Sequence, residues 1–241
     1  MQPGISDTSP DVERQMYAAY RRMTPARKWK NLRDDYRLAR ALHAAGVRHR
    51  RPGATLAEVQ ADWIGETLGR PCPVPIPESL VEPVDQEYQP VLRFALQTLD
   101  ALGIAYAIGG SIASSLHGAG RMTRDADVTV EPFPGREPAF VAAFPAADFY
   151  LSPESVREAV RGHSTFNILH PATGYKIDVF VRKNDPFERE ALARRAPHPM
   201  PGARTRWFMS THQRTSCSSS CAGTGSAARR PTSSGPTSSA C

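Results

Sequence analysis

The chain has 241 residues, 40% hydrophobic and 22% charged, with a formal net charge of +6. That length allows one ordinary domain with a small companion, or two small domains. No apolar run approaches the ~18 residues of a membrane span, and the opening MQPGISDTSP lacks the basic and apolar regions of a secretory signal. Of the four cysteines only Cys72 lies outside residues 212–241. A disulfide scaffold is therefore excluded, and a cytoplasmic, reducing setting is expected. The basic balance favours an acidic partner such as nucleic acid or nucleotide phosphate.

Residues 1–70 read as a small helical domain. DVERQMYAAYRRM has helical spacing, with Met16, Tyr17 and Tyr20 in phase. The next helix opens on Thr24 as N-cap with Pro25 at its first position, and Gly46 is expected to close it. Its apolar positions Trp29, Leu32, Tyr36, Leu38, Ala39 and Leu42 form a stripe, and the stripe predicts a core-facing side. A third helix follows, opened by the Thr55–Glu58 capping box and ended by Gly69. Residues 71–88 are rich in proline (Pro71, Pro73, Pro75, Pro77, Pro83) and predict a semi-extended linker.

Residues 89–211 mix helices and strands without strict alternation, so an α+β sheet domain is expected. YQPVLRFALQTLDALG predicts a helix, IAYAIGG a strand, SIASSLHG a helix and DADVTVE an alternating strand. REPAFVAAF and SPESVREAV predict helices, the latter capped by Ser152. STFNILH and YKIDVFV predict two strands joined by PATG, and DPFEREALARR and RTRWFMS predict a last helix and strand.

The chemistry concentrates in IGGSIASSLHGAGRMTRDADVTVE. Alternation in the strand puts Asp125 and Asp127 on one face. Two such carboxylates repel unless a cation sits between them, and Mg²⁺ suits one or two carboxylates plus substrate phosphates. Asp178 lies inside another apolar strand and could complete a carboxylate cluster. Lys176 shares its face, either as a phosphate contact or as a local salt bridge. Gly109 and Gly110 end a strand and open a helix, so a phosphate could approach the backbone there, with Ser111 adding a hydroxyl. A phosphate cradle followed by a metal platform is what phosphoryl and nucleotidyl transfer require.

Gly-Gly-Ser, thirteen residues, Asp-x-Asp and a later strand Asp together resemble the nucleotidyltransferase superfamily with the polymerase-β-like fold. The similarity is greatest to small bacterial members linked to abortive infection and toxin–antitoxin systems. It covers about half the chain, and the helical segment 1–70 also resembles a module found before such domains. The resemblance implies an enzyme that moves a nucleoside monophosphate from an NTP to an acceptor hydroxyl on RNA, protein or a small molecule. It implies two Mg²⁺ ions held by Asp125, Asp127 and Asp178, with Asp178 also activating the acceptor. It implies triphosphate contacts at Gly109, Gly110 and Ser111, and an antitoxin as protein partner; Arg121, just before the acidic strand, either touches a phosphate or shapes the loop. The alternatives are a non-catalytic nucleotide- or partner-binding member, or a truncated inactive gene product.

Two other features divide between readings. The basic residues of 21–51 form either a nucleic-acid surface or a solvated helix face, and Trp29 and Tyr36 among them are expected in the core. Residues 212–241 are rich in Ser, Thr, Gly and Ala and are expected to be a disordered frameshift product lacking the closing helices. Cys codons begin TG and one Ser family begins TC. Displaced by one base, these become the last two bases of codons with a central T, all of which encode apolar residues. Ser216, Cys217, Ser218 and Ser219 then become four apolar residues, and Cys221 a fifth.

Overall fold

Ser9, Thr24, Thr55, Ser152 and Asp185 each stand just before a helix and accept a hydrogen bond from a first-turn backbone N–H. Four of these helices also begin with proline in the first turn. Such local signals fix helix starts with no help from distant residues. The computed structural model describes residues 8–73, 90–117, 124–199 and 206–209.

The described elements are, in order, α1 Pro10–Arg22, α2 Pro25–Arg50, α3 Leu56–Leu68, α4 Pro90–Ala101, β1 Tyr106–Ile108, α5 Gly110–His117, β2 Asp125–Val130, α6 Glu137–Ala142, α7 Pro153–Gly162, β3 Thr165–His170, β4 Tyr175–Val181, α8 Pro186–Ala193, β5 Ala196–Pro199 and β6 Arg206–Met209. The chain is an α+β protein built on a mixed sheet. The strand order is β3-β4-β2-β1-β6-β5. β2 runs parallel to β4 and antiparallel to β1, and β3 pairs antiparallel with β4.

Strand parity divides the central sheet into two faces. Ala126, Val128 and Val130 of β2 pack with Ile177, Val179 and Val181 of β4 in the core, against residues such as Phe140 and Val156 of α6 and α7. The intervening positions carry Asp125, Asp127, Lys176 and Asp178 to the other face. Leu38, Ala41 and Leu42 of α2 and Ile112 and Leu116 of α5 belong to the same core cluster. α2 and the sheet thus share one core, while Val59 of α3 packs with Ala44 and Val47 of α2 in a second, smaller cluster. Among the described residues no helix is long and apolar enough to cross a membrane.

Two features of α2 differ from the sequence expectation. The helix does not stop at Gly46 but continues to Arg50. Gly46 is instead where α5 crosses: a Cβ there would lie 1.8 Å from the Leu116 carbonyl oxygen. The expected apolar stripe is also only half buried. Leu38, Ala39 and Leu42 are in the core, but Trp29, Leu32 and Tyr36 are exposed. In the first half of the helix the buried side is polar, formed by Asn31 and Asp35. Most of the proline-rich stretch at 71–88, from residue 74 on, and all of 212–241 lie outside the described residues.

Candidate functional site

The β1 strand is buried at all three positions and ends at Gly109. Gly109 N–H donates to the Asp127 carbonyl at 2.8 Å, which ties the turn to the middle of β2. Gly110 then opens α5 with φ of +55°, a left-handed conformation that L-residues adopt reluctantly. A Cβ on Gly110 would lie 1.6 Å from Asp127 Oδ2. The Asp127 carboxylate therefore rests against the Gly110 α-carbon, at the positive end of α5. Glycine at 110 and aspartate at 127 are two halves of one contact. Gly109 differs, since among the described residues a Cβ there would meet nothing within 4 Å. Space is open beside it.

Register assembles the acidic face. Asp127 faces Asp178 across the parallel β2–β4 pair, and Asp125 faces Lys176. Neighbouring strands lie about 4.8 Å apart, so Asp127 and Asp178 are adjacent. Asn167 of β3 faces Asp178 from the other side. Asp125 is exposed, Asp127 half-buried, and Asp178 only 1% exposed.

Asp178 is buried because its charge is answered inside the protein. Lys176 Nζ donates to its Oδ2 at 2.7 Å, and Asn167 Nδ2 donates to its Oδ1 at 2.6 Å. Lys176 is itself buried and also donates to Thr8 Oγ1 at 2.6 Å. The Ser9 N–H donates to Asn167 Oδ1 at 3.2 Å. The start of α1 thus caps the Lys176–Asp178–Asn167 group. Of the two roles read for Lys176, the salt bridge is the one formed.

A second polar group holds the entry to β2. Arg124 Nε lies 2.7 Å from Asp35 Oδ2 of α2, and Arg124 Nη1 donates to Tyr20 Oη of α1 at 3.1 Å. Tyr20 in turn donates to the Gly174 carbonyl in the β3–β4 turn at 3.3 Å. Burial pushes Asp35 up to about 6, against the opposing pull of Arg124. Burial also works against the Arg124 charge, but its bonds to Tyr20 and Asp35 outweigh that and hold it above its ordinary value. Tyr175, on the core side of β4, is pushed well up by burial and then by the charges of Asp125, Asp35, Asp127 and Asp178. It stays neutral beneath the acidic face.

Of the residues expected to act, Gly109, Gly110, Asp125, Asp127 and Asp178 come together at the β1–α5 turn and the adjoining face of β2 and β4. Ser111 is buried in the first turn of α5. Arg121 lies outside the described residues. Among the described residues, no three His, Cys, Asp or Glu side chains gather closely enough to hold a metal ion. The residues sequence reasoning missed are Asn167, Asp35, Arg124 and Tyr20. Asn167 had a signal: a polar residue inside an otherwise apolar strand, at the parity that faces outward. No family model matches this chain, and neither does any curated protein or solved structure.

Proposed function

We propose that the β1–α5 turn and the Asp125–Asp127 strand bind a nucleoside triphosphate with a divalent cation, and that the chain is a nucleotidyltransferase of the polymerase-β-like type. The observation that carries this reading is the seating of the Asp127 carboxylate on Gly110. It joins the glycine turn and the acidic strand into one site, with open space beside Gly109.

Asp125 and Asp127 suit a hard cation, being two carboxylates on one strand face beside the glycine turn. Asp178 suits it less, because both of its oxygens are already engaged by Lys176 and Asn167. We therefore assign one cation, between Asp125 and Asp127, in place of the two-ion, three-carboxylate set that the resemblance implies. Bound there, Mg²⁺ would neutralise charge on the phosphates. Asp125 and Asp127 would hold it. Gly109 leaves room for a phosphate, and the amino end of α5 favours its charge. Lys176 and Asn167 fix Asp178, so that residue keeps β4 in register beside Asp127 and does not take the proton of an acceptor hydroxyl.

Asp127 occupies the same helix end that a phosphate would approach. Two negative groups there repel, so nucleotide binding should need the cation. Calorimetric titration of each NTP with and without Mg²⁺, followed by incubation of labelled NTP with total RNA or protein extract, tests this. Expected are Mg²⁺-dependent binding and label transfer, both lost in a folded Asp127→Asn variant. Nucleotide binding that is equally tight without Mg²⁺, or full transfer by Asp127→Asn, overturns the assignment. A second reading, a nucleotide-binding member without transfer, is favoured by the internal neutralisation of Asp178. It requires Mg²⁺-dependent binding with no label moved to any acceptor.

A further inference from the structure

The exposed side of α2 carries an arrangement that folding does not use. Trp29 is 69% exposed, Leu32 42% and Tyr36 41%. Their spacing, three and then four residues, lines them on one face. Trp29 and Tyr36 are about 10 Å apart along the axis, so each ring has its own place on the surface. Tyr36 is braced: the Trp63 ring of α3 meets it at 6.0 Å and 78°, and the Arg40 guanidinium lies 5.9 Å from its centre. It is presented in a fixed position and is still exposed.

The charges around these rings are of one sign. Between Pro25 and Arg40 the basic residues are Arg27, Lys28, Lys30, Arg33, Arg37 and Arg40, and the acids are Asp34 and Asp35 alone. Both acids are engaged away from the rings. Asp34 pairs with Lys30, and Asp35 is turned about 100–120° from the two rings and buried with Arg124. Arg33 and Arg37 have no carboxylate partner among the described residues. A solvated face would not need two exposed aromatic rings, and a protein-docking face would not need uncompensated guanidinium groups beside each ring. Flat rings interleaved with cations are what a single-stranded nucleic acid requires: bases stack, and the backbone phosphates are neutralised.

From this geometry we infer that the outer face of α2 binds single-stranded nucleic acid, with one base on Trp29, another on Tyr36 and phosphates on Arg33 and Arg37. The inference does not depend on nucleotidyl transfer, because Trp29 and Tyr36 are turned about 100–120° around α2 from Asp35, whose pair with Arg124 borders the carboxylate site.

Fluorescence anisotropy of a labelled, unstructured RNA strand with the full chain tests it, with duplex RNA and a poly-glutamate peptide as competitors. The strand should bind and should be displaced poorly by either competitor. Trp29→Ala and Tyr36→Ala should each weaken binding about tenfold. Replacing Arg33 and Arg37 together by Gln should flatten the slope of log affinity against log salt by about 1.4, measured between about 50 and 200 mM. Circular dichroism should be unchanged in all, since these side chains are exposed. No binding at the lowest salt overturns the inference, as does undiminished binding by both aromatic variants. Duplex RNA bound as tightly reduces the face to plain charge attraction, and poly-glutamate bound as tightly points to an acidic protein partner; either outcome also overturns it.

Discussion

Replacing Gly110 by alanine tests the central contact of the site without assuming any activity. Two costs follow from the geometry. At φ of +55° an alanine pays about 1–2 kcal/mol for the left-handed conformation. Its Cβ would also fall 1.6 Å from Asp127 Oδ2, so the carboxylate must leave the amino end of α5, forfeiting about 0.3–1 kcal/mol of helix-dipole interaction. The expected loss is about 1.3–3 kcal/mol, or about 3–12 °C in melting temperature for a chain of this size. In an Asp127→Ala background the nearest remaining atom is the Cβ of residue 127, at 3.1 Å, a tight contact that a shift of a few tenths of an ångström relieves, and the backbone cost is the main one left. In an Asp127→Asn background the clash persists, because the side chain keeps its size. Urea denaturation of these variants, alone and combined, measures the coupling. The reasoning is refuted if Gly110→Ala is as stable as the parent chain. It is refuted equally if the glycine substitution costs no more with Asp127 present than with alanine there.

Lys176→Met should destabilise the protein by about 3–5 kcal/mol, since it strands a buried carboxylate. The double variant Lys176→Met, Asp178→Leu should recover most of that loss, and thermal melts of the two compare them directly. Stability should also depend on pH through Asp35. Its folded-state pKa is raised to about 6 from 3.8, so the folded protein binds this proton more tightly than the unfolded chain. The group's contribution is fully favourable below about pH 4 and is lost as the pH rises to about 6, at most about 3 kcal/mol. His43, whose pKa burial lowers, has the opposite slope, its contribution falling as pH drops below about 6.5. The Asp35 part is therefore read as the stability difference between the parent chain and Asp35→Asn, which should change between pH 4 and 7 by about this amount; a constant difference would contradict it.

What the sequence made legible was local. The Thr55–Glu58 capping box, the Thr24 and Ser152 caps and the alternation of DADVTV depend on neighbours within four residues, and the structure has each of them. The β2–β4 pairing, which places Asp127 beside Asp178, could be framed only as a condition, because parity fixes a face but not a partner. The exposed half of α2 shows why apolar spacing misleads. Trp29, Leu32 and Tyr36 have core periodicity, yet the side that packs is turned about 110° from them. It does so through Asn31, whose Nδ2 donates to the Thr173 carbonyl at 2.7 Å, and through Asp35 on Arg124. Those partners lie far along the chain, and nothing in the local pattern announces them. β5 escaped notice for another reason. Its four residues, APHP, include two prolines, which argue against a central strand, but β5 is the sheet's edge, where proline is tolerated.

The polar character of that packing bears on what the amino-terminal helices do. Apolar contacts between α2 and α5 hold the helix to the core, but they are non-directional and would tolerate some sliding. Contacts on the carboxylate side are directional and fall where the acidic strands begin. Arg124, bonded to Asp35 and Tyr20, is the residue just before Asp125. Gly174 and Thr173, bonded to Tyr20 and Asn31, form the turn that leads into β4, two residues before Lys176. Thr8 and Ser9 reach Lys176 and Asn167 themselves. Each contact fixes the entry of a strand that carries a site carboxylate or fixes a side chain that bonds Asp178. A buried polar contact is costly when misaligned, so this set specifies one arrangement of the face more sharply than hydrophobic packing alone would. The helices act on Asp125, Asp127 and Asp178 through position, and α2 divides the work between its sides: the inner one orients the carboxylates, while the outer one is left free to meet a partner.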